Sequence, residues 1–172
     1  DALQHALRQR PDVLLLIAGE GPARVELAAR VKRQGLGEAV RFIGYLDRAE
    51  ALPACYAAAD VFVFASRTET QGLVLLEAMA AGLPVVALAE MGTVDILGPR
   101  RASLAPPPEP EAFGEAVGRL LGDASARPRL AADAPAYAAE WSDTEMAARL
   151  AWLYRDLLER HAPAGLPAAA GA

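Results

Sequence analysis

The chain has 172 residues, about one domain by length and enough for a substantial core. Hydrophobic residues make up 53% and aromatics only 6%, which describes an interior of alanine, leucine and valine and no surface for stacking bases. A net charge of −5 argues against a nucleic-acid groove, because neutralising phosphates needs clustered Lys and Arg. Attachment of this portion to an anionic membrane surface lacks support for the same reason. The single cysteine, Cys55, has no internal disulfide partner and fits a reducing compartment, hence a cytoplasmic location. His5 and His161 have no neighbouring ligand set, and no metal-ligand spacing occurs, so the expectation is no metal. The sequence opens at Asp1 without a basic-then-apolar leader, and a fragment of a longer protein is expected.

In chain order, residues 1–10 read as the end of a helix, with Leu3 and Leu7 at four-residue spacing. Residues 13–18 form an apolar run bounded by Pro11 and Gly19, expected as a buried strand. Residues 22–34 are helical, with Val25, Leu27, Ala28 and Val31 on one face and Gly35 as the C-terminal stop. A strand follows at 40–44, then a helix at 48–59 with Asp47 as its cap. Two short strands, around 60–65 and 85–88, enclose a loop and a helix. A weaker strand at 102–105 ends at Pro106, Pro107 and Pro108. From about 109 onward only helices are expected, at 109–122, 126–139 and 143–161, and 162–172 is an Ala/Gly/Pro-rich disordered tail. Strands alternating with helices at this spacing predict an α/β fold with a Rossmann-like, doubly wound parallel sheet.

The segment joining the strand at 60–65 to the next helix carries the chemistry. Glu69 and Glu77 stand eight positions apart, with Gly72 between them. Glu69 falls in a loop at the carboxyl end of a strand, where open α/β sheets bind ligands. Gly72, Leu73 and Val74 fall where a helix begins, and the unpaired N–H groups and positive dipole end there suit a phosphate. Glu77 lies just over a turn further on, between Leu76 and Ala78, in apolar company that makes a carboxylate costly unless it is hydrogen-bonded. Two acceptors flanking an anion site match a diphosphate with a sugar on one side and a ribose on the other. The Gly19-Glu20-Gly21-Pro22-Ala23-Arg24 turn starts like a dinucleotide fingerprint, but Arg24 takes the place of the third glycine, which disfavours an NAD site.

Set between Tyr56-Ala57-Ala58-Ala59-Asp60-Val61-Phe62-Val63-Phe64-Ala65-Ser66 and Ala78-Met79-Ala80-Ala81-Gly82-Leu83-Pro84-Val85-Val86, the two glutamates resemble the E-x7-E signature of the family 4 (group 1) retaining glycosyltransferases. Ile17-Ala18-Gly19-Glu20-Gly21-Pro22 and Val40-Arg41-Phe42-Ile43-Gly44-Tyr45-Leu46 resemble the same family's second domain. The resemblance covers roughly 1–160 and implies the C-terminal half of a two-domain GT-B enzyme. It implies a nucleoside diphosphate sugar as donor substrate, no metal or other cofactor, and transfer to an acceptor hydroxyl with retention. On that implication Glu69 serves the sugar and the catalytic step, Thr70, Gln71, Gly72, Leu73 and Val74 line the donor, and Glu77 holds the ribose. Gly19 and Gly21 line the nucleotide cleft, and backbone groups of Leu46 read the base edge. Where relatives often carry Gly-Gly-x-x-Glu this chain has Met91-Gly92-Thr93-Val94-Asp95, so no role is carried over there. The acceptor, a sugar or a lipid, would be bound by an N-terminal domain that this chain lacks, and membrane contact of the longer enzyme stays open. A non-catalytic nucleotide-binding module, or a sugar phosphorylase or epimerase on the same architecture, remains the alternative.

Overall fold

A computed structural model describes residues 1–161; the tail expected at 162–172 lies outside the described residues. The elements are α1 (Ala2–Gln9), β1 (Leu15–Ala18), α2 (Arg24–Arg33), β2 (Val40–Gly44), α3 (Ala51–Ala58), β3 (Phe62–Phe64), α4 (Leu73–Ala80) and β4 (Val85–Ala87). After a 3-10 turn at Met91–Thr93 come α5 (Val94–Leu97), β5 (Ser103–Leu104), α6 (Pro110–Gly122), α7 (Ala126–Ala139) and α8 (Asp143–His161). The chain divides into two compact units, Asp1–Ala138 and a second that starts at Ala139.

All strand pairings are parallel: β1 with β2, and β3–β4–β5 with β4 in the middle. Parallel neighbours need helical crossovers, which α2, α4 and the α5 segment supply. The core centres on β4, whose Val85, Val86 and Ala87 are fully enclosed. A strand covered on both faces reads as a continuous apolar run, and the sequence 85–88 shows one. Leu75, Ala78 and Met79 of α4 cover one side, and Phe113, Ala116, Val117 and Leu120 of α6 pack in the same core as Val86 and Leu88.

The α1 helix docks on α6 through two glycines. A Cβ at Gly114 would stand 2.1 Å from the Ala2 carbonyl oxygen, and one at Gly118 would stand 2.9 Å from Gln9 Oε1. At 114, where the obstacle is backbone, only hydrogen allows the two helices to approach this closely, whereas at 118 the Gln9 side chain would have to shift.

Several expectations are corrected. The run at 13–18 is not buried: β1 alternates between half-buried and exposed residues, and Leu16 within it and Leu14 just before it stay 38% and 51% exposed. The strands are parallel as expected, and among the described residues they fall into two ladders, since none joins β1 to β3. The apolar face of α2 is uncovered as well, with no buried residue. Helix α3 starts at Ala51, three residues late, because Asp47 caps a preceding turn: its carboxylate accepts the N–H groups of Ala49 and Glu50 at 3.1 and 2.9 Å. Gly35 stops α2 as expected. At φ +69° it forms a Schellman turn, donating to Lys32, while Leu36 donates to Val31.

In the second unit, α8 follows the expected span, but none of its residues is buried. Leu150, Trp152, Leu153, Tyr154, Leu157 and Leu158 are all exposed. Among the described residues no helix is long and apolar enough to cross a membrane.

Candidate functional site

The structure places Glu69 in the loop after β3 and Gly72 at the start of α4, as expected. Gly72 adopts φ +73°, and a Cβ there would also meet Ile96 Cδ1 at 2.7 Å. Glycine makes this left-handed turn into α4 without the backbone strain and the Ile96 contact that a side chain would bring.

The Glu69 carboxylate folds back onto its own loop. Oε1 accepts the N–H groups of Gln71 and Gly72, each at 2.9 Å. These two amides, Gln71 first, hold the Glu69 carboxyl below the ordinary glutamate value. The Gly72 amide, expected to face a ligand, is therefore engaged by Glu69 in this structure. Leu73 and Val74, the next two residues of α4, donate to no group among the described residues. They are the orphan N–H groups of a helix start, one and two residues beyond the Gly72 amide that Glu69 engages. Thr70 and Gln71 are exposed on the same loop.

A second segment holds this loop from behind. Gly92 donates its N–H to the Glu69 carbonyl at 3.0 Å. A Cβ on Gly92 would fall 2.0 Å from the Thr70 carbonyl oxygen, so the two backbones lie in direct contact. Thr93 fixes the segment: its buried hydroxyl donates to the Leu88 carbonyl at 2.7 Å and accepts from the Glu90 N–H at 3.0 Å. Arg67 pairs with Glu90 at 3.7 Å across the same junction. The substituted Met91-Gly92 pair, to which the sequence comparison gave no role, contains the strut of the Glu69 loop.

Glu77 lies on the second turn of α4. It does not wait alone for a ligand: the Arg48 guanidinium donates to Oε1 and the Tyr56 hydroxyl to Oε2, the latter at 3.4 Å. Burial, and then the Glu77 charge, push the Tyr56 phenol up to about 12. Arg48 and Tyr56 were missed in the sequence because they are 29 and 21 positions from Glu77. The one available signal was that a carboxylate in an apolar run needs a donor, without an indication of which.

Gly19, Gly21 and Leu46 lie at the carboxyl ends of β1 and β2. Gly19 takes φ +113° and donates to the Gly44 carbonyl at 2.7 Å, which joins the two loops side by side. Leu46 is two residues before Arg48, so the β2–α3 connection reaches α4 through the Arg48–Glu77 pair. Among the described residues no group of three or more His, Cys, Asp or Glu could hold a metal ion.

Residues 1–123 match the family described as glycosyl transferases group 1. The chain is 32% identical over 160 residues to the alpha-D-kanosaminyltransferase of Streptomyces kanamyceticus, spanning 91% of this chain and 41% of that protein. It is 39% identical over 140 residues to the D-inositol 3-phosphate glycosyltransferase of Corynebacterium urealyticum, spanning 76% of this chain and 32% of that protein. The chain thus spans less than half the length of these relatives. Among solved structures it is similar to the sucrose-phosphate synthase of Thermosynechococcus elongatus, with TM-score 0.75, 32% identity, and 92% of this chain and 42% of that one covered. It is also similar to Anabaena Alr3699/HepE, solved in complex with UDP and glucose, with TM-score 0.73, 26% identity, and 87% and 44% covered. A third likeness is the C-terminal domain of a group 1 glycosyl transferase, LpcC, from Francisella tularensis, with TM-score 0.67, 27% identity, and 79% and 73% covered. The fold is that of the C-terminal half of a GT-B enzyme, and the chain belongs to the group 1 glycosyltransferases.

Proposed function

We propose that this chain binds the nucleoside diphosphate sugar donor of a retaining hexosyltransferase, and that the longer enzyme transfers the sugar to an acceptor hydroxyl. The observation that carries the reading is the arrangement at the start of α4. Two unpaired N–H groups, of Leu73 and Val74, stand between a loop carboxylate at Glu69 and a helical carboxylate at Glu77. The bound UDP and glucose of the Anabaena neighbour support it.

On this reading the diphosphate meets the α4 N-terminus, where the dipole contributes roughly half an elementary charge. Glu69 releases or shares its Gly72 amide and accepts sugar hydroxyls through Oε2, while Thr70 and Gln71 line the sugar. Glu77 accepts the vicinal hydroxyls of the ribose. Gly19, Gly21 and Leu46 border the nucleotide, with Leu46 backbone groups toward the base. No metal takes part: basic side chains of the longer protein add to the helix dipole in stabilising the departing diphosphate. The acceptor is bound by the remainder of that protein, in the cytoplasm.

Calorimetric titration of the 172-residue chain with UDP-, GDP- and ADP-sugars tests the reading. Saturable binding of one nucleotide series, lost in Glu77→Ala, is the expected result. No binding of any nucleotide or nucleotide sugar at millimolar concentration would overturn it.

A further inference from the structure

Glu77 is held by donors from two other segments, and neither is on α4. Arg48 comes from the turn after β2 and Tyr56 from α3. The Arg48 side chain is 74% exposed and that of Glu77 30%, so the pair stands at the rim where a ligand would arrive. Tyr56 is fixed by an edge-on contact with Phe62, the ring centroids 5.8 Å apart. Its raised phenol stays protonated, and so remains a donor, throughout the neutral range.

A carboxylate has about four acceptor positions. Arg48 occupies one on Oε1 and Tyr56 one on Oε2, which leaves each oxygen able to accept once more. A vicinal diol has two adjacent O–H donors and needs that pair of vacant positions on a carboxylate that does not rotate. At 3.4 Å the Tyr56 bond is long for O–H to O, so Arg48 has the larger share in fixing the group.

We propose that Arg48 and Tyr56 are positioning residues that hold the Glu77 carboxylate with both oxygens toward the donor's ribose diol, and thereby set a preference for ribonucleotides over 2′-deoxyribonucleotides. The inference rests on the ribose role of Glu77 in the function proposed above. It also accounts for the placement of Arg48 two residues beyond Leu46: one short segment meets the base with its backbone and orients the ribose acceptor with its side chain.

The opposite role for Arg48 is a placeholder that occupies Glu77 until the ligand displaces it. The two roles differ in sign, because removing a placeholder tightens binding and removing a positioning residue weakens it. The test is titration of the 172-residue chain and of Arg48→Met, Arg48→Lys and Tyr56→Phe with UDP and GDP and with their 2′-deoxy counterparts. The unsubstituted chain should prefer the ribonucleotide by about tenfold or more, the scale of a hydrogen bond to a charged group. Arg48→Met should bring that ratio close to one with little change in 2′-deoxynucleotide affinity. Arg48→Lys should restore most of the ratio, and Tyr56→Phe should lower it by a smaller factor.

Arg48 is exposed, so its substitution leaves the core intact, and a general structural defect would weaken both nucleotide forms equally. An unchanged ratio in Arg48→Met, an equal loss for both forms, or tighter ribonucleotide binding would overturn the inference while leaving the donor-binding reading in place. Equal binding of the two forms by the unsubstituted chain would overturn the ribose role of Glu77 itself.

Discussion

Replacing Gly92 with alanine is the sharpest perturbation the structure offers, because the glycine makes no ligand contact in the proposed site and yet supports it. The added Cβ would lie 2.0 Å from the Thr70 carbonyl oxygen, 2.1 Å from its carbon and 2.6 Å from the Gln71 nitrogen. All three are backbone atoms, so no side chain can swing aside. Ordinary contact needs about 3.5 Å, so the two segments would have to part by roughly 1–1.5 Å. The Gly92 N–H bond to the Glu69 carbonyl, now 3.0 Å, would then stretch beyond hydrogen-bonding range. Overpacking and the lost bond together come to roughly 2–4 kcal/mol. Urea denaturation of the 172-residue chain should show that loss. The Gln71 and Gly72 amide resonances should shift in nitrogen–proton correlation spectra, and donor affinity should fall. Gly37→Ala serves as control, since nothing lies within 4 Å of the Cβ it would add. If Gly92→Ala keeps its stability within about 0.5 kcal/mol of the unsubstituted chain, the scatter expected of a neutral surface change, and leaves the 71 and 72 amides unmoved, the strut does not exist.

Glu77→Gln should weaken nucleoside diphosphate binding by on the order of ten- to a hundredfold, whereas Glu69→Gln should spare the free diphosphate and reduce affinity for the sugar-bearing form; equal losses of UDP or GDP affinity in both variants would show the roles to be misassigned. The 172-residue chain should bind donor without transferring its sugar, and turnover by the purified chain alone would contradict that division of labour. Transfer by the longer enzyme should persist in EDTA; activity lost to chelator and regained with magnesium or manganese would rule out the metal-free reading. For pH, the Glu69 carboxyl is depressed in the folded chain by the Gln71 and Gly72 amides. Its bonds therefore stabilise the loop above the unfolded glutamate value and are lost as pH falls through the lower folded value. The Gly72 amide shift should titrate with a midpoint below about 4.3, the ordinary glutamate value, and a midpoint at or above it would show that the carboxylate is not bound as described.

What the sequence disclosed here was local. Gly35 announces the end of α2 because a left-handed residue is needed there. Asp47 announces a turn because its short carboxylate reaches amides two and three residues on. The α6, α7 and α8 spans lie within a residue of expectation, since caps and the 3.6-residue period act over a single helix. Glu69, Gly72 and Glu77 could be read together because one loop and one helix carry them. The environment of those same residues was hidden, since it is made by chain brought back from elsewhere. Nothing near Glu77 in sequence points to Arg48 or Tyr56, and nothing about Gly92 shows that a carbonyl lies where its side chain would be. The exposed face of α2 misled for a related reason: apolar spacing records that a helix has a face to cover, not that the described residues cover it.

The glycine-notched seating of α1 on α6 bears on how this molecule forms during synthesis. Ala2 and Gly114 are more than a hundred residues apart in sequence, so α1 leaves the ribosome well before its partner. At about 5–20 residues per second, roughly 6–22 s pass between the two. Through this interval the α6 face of its docking site does not yet exist, and Ala6, enclosed with Phe113, Ala116 and Leu120 in the finished core, has none of them to pack against. The contact is among the most non-local in the molecule, and closing a loop of this length is slow. Closure of the first unit therefore waits on α6: β2 to β5 can assemble in order, but α1 can dock only after more than a hundred further residues have emerged.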